Sequence, residues 1–437
     1  MMTTIAESST ENPAASDRAK QVRRVAAASL VGTTIEWYDF LIYATMAGVI
    51  FNQYFFPKGD AFVNTMLAYG TFAAGFLIRP FGGLLFGHFG DRIGRKPLLV
   101  LTLMIMGVAT FLIGLLPTYD QIGIWAPILL LTLRLVQGIA LGGEWGGAVL
   151  MSYEFAKPEE RAYFASFPQI GLAIGLCAST GVVTFLSYVL SEQDFVSWGW
   201  RLAFMLSIAL LAVGLFIRLR VLETPEFAKI RAREEVSRVP MWEVLRDYPG
   251  SVVLGWGARL IDGIVFTIYA IFTLSYLVNV AKIPRTTVLA AITLAAFVLI
   301  FTIPYSSRLA DRTSRKKLYI IFSLINGFVT FPALWLMQYS GSPLIASACI
   351  VIVLGVLWAP VYGPQAAMFC DLFDTRVRYT GVSLIYQIGA ILSVSLTPLV
   401  ATALLQANNN QPWLIATYVS AAGIISALCA AAMKRVP

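Results

Sequence analysis

Apolar runs of about 20 residues, separated by short polar segments, recur along the whole of this chain of 437 residues. A run of that length is needed for an α-helix to cross the hydrocarbon core of a bilayer, which is about 30 Å thick. Charged residues make up 13% of the chain, whereas a soluble domain carries about 25%. The chain is therefore predicted to be an all-α membrane protein rather than a set of soluble domains.

Twelve runs are long enough to span a bilayer, and they fall into two sets of six. They lie near residues 25–51, 62–86, 97–116, 126–150, 162–190, 200–219, 250–279, 286–306, 318–338, 343–369, 380–405 and 413–433. This spacing predicts a cytoplasmic N-terminal tail over 1–24, a six-helix bundle over 25–219, a cytoplasmic linker over 220–249 and a second six-helix bundle over 250–433. No cleavage pattern follows the first run, which indicates a retained helix rather than a signal peptide.

The basic residues are distributed unevenly between the loops. Most of the 32 Lys and Arg lie before the first run, after the even-numbered runs or at the C-terminus, and only Lys58, Arg201, Lys282 and Arg285 lie in the other loops. Because cytoplasmic loops are rich in Lys and Arg, both termini are predicted to be cytoplasmic. The net charge of +8 then reflects topology, and no nucleic-acid partner is expected.

The composition also excludes several kinds of site. One histidine and four cysteines leave little material for a metal site, so no metal or cofactor is expected. The chain has no Walker A motif, which excludes ATP hydrolysis as the driving force. A membrane enzyme would need clustered catalytic groups near an interface, whereas the acidic residues here lie within the runs, so an enzyme is not expected.

The loops after the second and the eighth run share a pattern. Residues 87–96 read GHFGDRIGRK and residues 307–316 read SRLADRTSRK. Asp91 and Asp311 are half a chain apart, and so are Arg95 and Arg315. A repeat of this length predicts two six-helix halves in parallel orientation, as in duplicated transporters.

These loops resemble the signature loop of the major facilitator superfamily, and further motifs narrow the resemblance to its metabolite:proton symporter family. The motifs are EWYDF at 36–40, RPFGG at 79–83, GGEWGG at 142–147, SWGWR at 197–201 and YQ at 386–387, and they are most similar to the shikimate permease branch. The branch usually has a glycine cluster before the Thr-Pro pair of the eleventh span, where this chain has Ser393 and Ser395.

The resemblance implies a major facilitator fold of twelve transmembrane helices, a location in the bacterial inner membrane and a monomer. It also implies proton-coupled import of a small organic acid by alternating access. A zwitterionic osmolyte of the proline or betaine type is the alternative substrate. Relatives that carry osmolytes typically add a long charged C-terminal tail, whereas this chain ends three residues after Lys434, which favours the acid.

Seven ionisable residues lie within the predicted spans: Glu36, Asp39, Arg79, Arg134, Glu144, Arg259 and Asp262. Each costs about 2.5–3.5 kcal/mol at the centre of a bilayer, so such residues are functional candidates. Four acids against three arginines leave one acid without a partner, and a desolvated carboxylate of this kind is a candidate proton carrier.

Asp39 is the first candidate for that carrier. It lies about 20 Å into its span, at a level comparable to Arg134 on the fourth span. Related sugar porters pair an Asp of the first span with an Arg of the fourth, which implies that Asp39 accepts the proton and Arg134 modulates it. The alternative is a static ion pair. Glu36 shares a helix face with Asp39, and Glu144 is either a second proton station or part of a gate.

Arg79 and Arg259 come from different halves and could hold a carboxylate between them, since guanidinium binds carboxylates in bidentate fashion. The alternatives are a carbonyl partner near Pro80 for Arg79, and a closed pair of Arg259 with Asp262. Polar side chains near the prolines of the tenth span, together with first-half counterparts, complete the predicted site: Tyr362, Gln365, Tyr386, Gln387, Gln137, Gln169 and Tyr38.

Charged residues at the cytoplasmic ends of the spans are predicted to form a gate. They are Asp91, Arg92, Arg95, Glu154, Glu223, Asp311, Arg315 and Asp371. The resemblance implies that such pairs stabilise the outward-open state and separate when the inner gate opens. The alternative is that these basic residues only fix the orientation of the chain in the membrane.

Overall fold

The fold is described from a computed structural model. It covers residues 13–83, 85–86, 95–142, 149–150, 152–154, 156–220, 240–375 and 377–434, with the backbone alone over 13–29, 95–99, 217–220 and residue 240. Within these ranges the chain forms helices and no strands. The prediction of an all-α fold is confirmed.

Twelve long helices, α1 to α12, follow one another within the described ranges. α1 joins Pro13–Met46, a π-helical turn Ala47–Phe51 and Asn52–Tyr54. The first half continues with α2 (Ala61–Gly83), α3 (Arg95–Leu115), α4 (Trp125–Leu141), α5 (Pro158–Val189) and α6 (Glu192–Phe216, extended to Arg220). The second half comprises α7 (Pro249–Asn279), α8 (Arg285–Arg312), α9 (Arg315–Tyr339), α10 (Pro343–Cys370), α11 (Arg378–Ala407) and α12 (Trp413–Ala432).

Nine of these helices, α2 and α5 to α12, are long and apolar enough to cross a membrane in the described part of the chain. α3 and α4 contain shorter apolar helices, Val100–Leu115 and Trp125–Leu141. α1 is the remaining helix and carries Glu36 and Asp39 in its buried part. The side of the molecule where α1 begins and α12 ends is called the inner face below, and the opposite side the outer face.

Two helices begin well before their predicted starts. α1 begins at Pro13, inside the predicted tail, because proline fits the first turn of a helix and an alanine-rich segment follows. α6 begins at Glu192 rather than near residue 200, because the Ser191 hydroxyl accepts a hydrogen bond from the Asp194 amide at 3.1 Å and caps the helix. In the predicted linker, Pro240–Asp247 forms a short helix.

Glycine contacts bring α2 and α4 together within the first half. A Cβ atom on Gly82 would overlap the backbone of Ile139, and one on Gly142 would overlap the carbonyl of Arg79. A Cβ atom on Gly75 would lie 2.7 Å from Nε of Arg134. Small residues let helix backbones approach closely, and here the approach packs the Arg134 side chain against α2.

The two halves contact each other along several helix pairs. On the α5–α8 pair, Thr293 donates a hydrogen bond to Thr180 at 2.9 Å. On the α2–α11 pair, Ser395 donates to the Ala73 carbonyl at 3.2 Å. α7 lies at the centre, and 94% of the residues in its 18-residue apolar stretch are buried. The described charged side chains of α1, α2, α4 and α7 therefore lie inside the protein rather than against lipid: Glu36, Asp39, Arg79, Arg134, Arg259 and Asp262.

Candidate functional site

Asp39 is held in the middle of α1 and is fully buried. Neither of its carboxylate oxygens has a hydrogen-bond partner among the described residues, although the Thr110 hydroxyl of α3 lies beside the carboxyl. An unsatisfied buried carboxylate is costly, whereas a neutral carboxyl is much less so. A neutral Asp39 carboxyl would therefore cost less here than a carboxylate, and its role as proton acceptor stays a prediction.

Arg134 of α4 is also fully buried and lies among aromatic rings. Its guanidinium carbon is 3.9 Å from the ring centroid of Phe40 and 4.3 Å from that of Tyr43. Nη1 donates a hydrogen bond to Oε1 of Gln137 at 3.1 Å, while Nε and Nη2 have no partner among the described residues. Cation–π contacts thus take the place of a counter-ion.

The direct ion pair predicted between Asp39 and Arg134 is absent from the described residues. No contact of 4.0 Å or less joins the two groups, and the only hydrogen bond of the guanidinium goes to Gln137. The reason is steric, because the rings of Phe40 and Tyr43 occupy the space around the guanidinium. Helix depth alone placed the two residues at one level but could not show which side chains fill the gap.

Arg79 of α2 is 7% exposed and lies on the rings of Phe40 and Phe76, at 4.4 and 4.0 Å from the centroids. Its electrostatic neighbours include Glu36 from the first half, and Arg259 and Tyr386 from the second. No ion pair joins it to a described carboxylate, and its Nε has no hydrogen-bond partner there. Among the described residues, Arg79 also donates no hydrogen bond to a carbonyl near Pro80, which was the alternative partner.

Arg259 and Asp262 form a buried ion pair one turn apart on α7. Nη1 of Arg259 lies 2.7 Å from Oδ2 of Asp262, and Gln365 of α10 can bind both groups at 3.2 Å when its amide is oriented to suit them. The guanidinium lies 3.5 Å from the ring centroid of Tyr386. Arg259 is therefore neutralised within its own half, in agreement with the alternative reading of the sequence, but its Nε remains without a partner.

An aromatic wall lies next to this pair. Trp358 and Tyr362 of α10 stack with ring centroids 4.4 Å apart, and the hydroxyl of Tyr362 lies 3.4 Å from that of Tyr386 on α11. The indole N–H of Trp358 donates to the Asp262 carbonyl at 2.9 Å. The wall fixes the positions of two phenol groups that can bind hydroxyl or carboxylate oxygens.

Three other predicted site residues bind backbone instead. Gln169 of α5 donates to the carbonyls of Tyr362 and Gly363, both at 2.8 Å, and Gln387 of α11 donates to the Gly142 carbonyl at 3.1 Å. These bonds join the two halves. The hydroxyl of Tyr38 donates to the Ala203 carbonyl of α6 at 2.7 Å and so holds the first half together.

Near the inner face, charged residues of the second half bind the first half; we call Asp311, Arg315, Asp371, Tyr153 and the start of α5 the inner cluster. Asp311 accepts hydrogen bonds from the amides of Ala162 and Tyr163, at 3.1 and 2.9 Å. Arg315 bridges Asp311 and Asp371 at 2.7 and 3.1 Å.

Two further contacts at the inner face also cross between the halves. The Tyr153 hydroxyl donates to Asp371 at 2.5 Å. Glu154 lies 3.5 Å from Arg378. Burial raises the pKa of the Glu154 carboxyl, and the Arg378 guanidinium offsets part of that rise. Predicted gate residues are thus brought together here, and their gating role stays a prediction.

Near the outer face, a bidentate ion pair joins the halves. Both terminal nitrogens of Arg285 on α8 lie 2.9 Å from the carboxylate oxygens of Glu192 on α6. The guanidinium also covers the ring of Phe195, at 4.2 Å from its centroid. The halves are therefore in contact near both faces.

Several predicted residues fall outside this description. Glu144, Asp91, Arg92 and Glu223 lie outside the described residues, and Arg95 is described by its backbone alone.

Thr110 and Trp358 contact predicted site residues but were not predicted themselves. The signal for Thr110 was its polarity in an apolar run, which does not by itself distinguish it from the other threonines of the spans.

Comparison with known proteins shows which family the chain belongs to. The Major Facilitator Superfamily model matches residues 32–395. The chain is 38% identical to a shikimate transporter of Escherichia coli (strain K12) over 416 residues, 95% of each protein, and 30% identical to a proline/betaine transporter of the same strain over 424 residues, 95% of this chain and 84% of that one.

Among solved structures, a proton:xylose symporter, XylE, bound to a bromodeoxyglucose superimposes with a TM-score of 0.71 at 15% identity, over 95% of each chain. At that identity the likeness concerns the fold, and it confirms the predicted two-bundle architecture of twelve helices. The chain is a multi-pass membrane transporter, not an enzyme, and it belongs to the major facilitator superfamily.

Proposed function

We propose that this protein is a proton-coupled symporter that imports a small organic acid by alternating access. The carboxylate binds between Arg79 and Arg259, one from each half, and the proton binds Asp39. The likeness to a shikimate transporter over 95% of the chain supports a ring-bearing carboxylic acid. We further propose that both termini are cytoplasmic, in the inner membrane of a bacterium, and that the protein works as a monomer.

The observation that carries this proposal is the charge balance of the buried centre. Its described ionisable groups are three arginines and three acids, all buried. When Asp39 holds a proton, these described groups comprise three arginines and two carboxylates, Glu36 and Asp262, which leaves one positive charge among them. A monocarboxylate would neutralise that charge, so a bound proton favours the bound anion and the anion favours the proton.

Arg79 is the group that most favours an anionic ligand. Its charge is compensated by aromatic rings rather than by an ion pair, and its position near Arg259 and Tyr386 lies between the halves. A ligand carboxylate there could accept two parallel hydrogen bonds from the guanidinium. The phenol groups of Tyr362 and Tyr386 lie close enough to one another to bind ring hydroxyls of the same ligand.

The alternative is a zwitterionic osmolyte, and the likeness to a proline/betaine transporter favours it. Glu36 is the electrostatic neighbour of Arg79, so an ammonium group could lie at Glu36 while its carboxylate lies at Arg79. Unlike an acid, a zwitterion would leave the charge of the site unchanged.

Uptake into proteoliposomes distinguishes the two. The panel contains labelled shikimate, benzoate, lactate, proline and betaine, each tested with and without an inward proton gradient. Accumulation of an acid above equilibrium, only with the gradient, is expected. Accumulation of proline or betaine alone would favour the osmolyte, and no gradient-driven uptake of any compound would overturn proton symport.

Two variants test the assigned residues. Asp39→Asn should lose gradient-driven accumulation and keep counterflow, because a neutral amide cannot take up and release a proton. Arg79→Lys keeps the charge but loses the bidentate geometry, and should raise the KM for the acid by about tenfold. Arg201→Lys is the matched control, since Arg201 binds the carbonyls of Gly114 and Leu116 at the end of α3. An unchanged KM in Arg79→Lys would remove Arg79 from the site.

A further inference from the structure

We propose that Thr110 and Gln137 form a relay that transmits the protonation state of Asp39 to Arg134, and that Thr110 is a positioning residue for proton coupling. This inference rests on the proposed function, in which Asp39 carries the proton. It accounts for how two groups that do not touch can still respond to one another.

Two hydrogen bonds build the relay on α4 and α3, and its Thr110 end lies beside α1. On α4, Oε1 of Gln137 accepts from Nη1 of Arg134 at 3.1 Å. Nε2 of the same amide donates to the Thr110 hydroxyl on α3 at 2.8 Å. The hydroxyl in turn lies beside the Asp39 carboxyl on α1. All four side chains are 0% exposed, so water does not screen the chain of contacts.

The hydrogen atoms of the relay can be assigned. A threonine hydroxyl has one hydrogen to donate and two lone pairs that accept. In Thr110 the hydrogen goes to the Met106 carbonyl at 2.9 Å, and one lone pair accepts from Gln137. What remains for Asp39 is a lone pair, which a protonated carboxyl can donate to and a carboxylate cannot. The arrangement therefore corresponds to a neutral Asp39.

Loss of the proton changes the direction of one bond. The Thr110 hydrogen turns from the Met106 carbonyl to the carboxylate, and no proton travels along the relay. A hydroxyl that donates to an anion becomes a better acceptor, so its bond from Gln137 strengthens and the Gln137 carbonyl holds Arg134 more firmly. Protonation of Asp39 weakens this hold, so the position of Arg134 depends on whether Asp39 carries the proton.

Other ionisable groups buried in the first half differ in kind from the relay. On α1 they include Glu36 and Tyr38, on α2 Arg79 and on α4 Arg134; the hydroxyl of Tyr38 is bound to α6. The charged residues of α3, α5 and α6 lie within the first or last ten residues of those helices. The Thr110 hydroxyl, by contrast, lies beside Asp39 and accepts a hydrogen bond from Gln137 of α4.

The second half provides a matched control. Thr330 on α9 follows Thr110 by the same interval that separates Asp311 from Asp91. Its hydroxyl also donates to a carbonyl four residues earlier, that of Asn326 at 2.8 Å, and is fully buried. Its neighbour is the hydroxyl of Tyr269, at 3.3 Å, rather than a carboxyl. Thr330→Val therefore removes an equivalent hydroxyl without touching the relay.

The test compares Thr110→Val, Thr110→Ser, Thr330→Val and Asp39→Asn in proteoliposomes. The probe is the acid of the panel above that the wild type accumulates most strongly. Thr110→Val should lose about tenfold in gradient-driven accumulation, keep counterflow within about twofold and show a flattened pH dependence of uptake. Thr110→Ser, which keeps the hydroxyl, should restore coupling, and Thr330→Val should retain it.

The outcomes separate the relay from the proposed function. If Asp39→Asn loses accumulation while Thr110→Val keeps it, the relay is wrong and the proposed function stands. If Asp39→Asn accumulates the acid like the wild type, or if the wild type accumulates none, the proposed function fails and the relay fails with it. Equal loss of counterflow and accumulation in both valine variants would show a packing role only, which overturns the relay.

Discussion

Asp311→Asn should shift the protein towards a state that is open at the inner face. The Asp311 carboxylate of the second half accepts hydrogen bonds from the backbone amides of Ala162 and Tyr163 in the first half. These bonds break if the inner face opens. Its bond with Arg315 lies within the second half, so separation of the halves does not require it to break. The substitution keeps the shape of the side chain and removes the charge.

The size of the shift follows from the two bonds between the halves. A hydrogen bond to a charged group contributes about 1.5–3 kcal/mol and a neutral one about 0.5–1.5 kcal/mol, so each bond loses about 1 kcal/mol. Two such bonds give about 2 kcal/mol. Since 1.4 kcal/mol corresponds to a factor of ten, the ratio of inner-open to inner-closed protein should rise about 30-fold.

Cys370 provides the assay, because its thiol is fully buried and its electrostatic neighbours are Arg378, Asp371, Glu154 and Arg315. The other cysteines, Cys177, Cys349 and Cys429, are partly exposed and would be replaced by alanine. A hydrophilic maleimide should label Cys370 about 30-fold faster in Asp311→Asn when labelling is slow compared with opening and closing, because the rate then follows the open fraction.

The matched control for this assay is Asp374→Asn, on the same loop as Asp371. Among the described contacts, its carboxylate accepts a hydrogen bond only from the amide of Thr375 and binds nothing in the first half. Labelling of Cys370 should be unchanged in this variant. Labelling of Asp311→Asn at the wild-type rate would refute the reasoning that these bonds keep the inner face closed.

Three further variants follow from the contacts above. Glu192→Gln removes the exposed ion pair with Arg285 at the outer face. Because such pairs contribute up to about 1 kcal/mol, Cys370 labelling should slow by up to about fivefold. Faster labelling would contradict this. Gly389→Ala places a Cβ atom 2.6 Å from Cδ of Arg259 and should raise the KM for the acid by about tenfold, whereas Gly181→Ala, with Thr293 at 3.5 Å, should not. The Tyr38 hydroxyl binds α6, so Tyr38→Phe should lower the free energy of unfolding by about 1 kcal/mol in a denaturation series. The KM for the acid should stay unchanged. A raised KM would show that Tyr38 contributes to substrate binding.

The number and order of the helices followed from the sequence because each span must satisfy its own backbone hydrogen bonds in lipid, so hydrophobicity along the chain nearly specifies the element. The charged residues within the spans were identified for the same reason, since their burial in lipid is costly. Repeat spacing related Asp311 to Asp91 and Arg315 to Arg95 in the two halves. These are properties of single segments or of regular intervals.

The tertiary structure decided which of these side chains meet. Asp39 and Arg134 lie at one depth, yet the rings of Phe40 and Tyr43 fill the space around the guanidinium, and Gln137 binds it. Helix rotation and the packing of neighbouring rings set such contacts, and no single run of sequence encodes them. The sequence by itself determined that charges are buried in this membrane protein, and only the packing of its helices determined that a threonine lies between two of them.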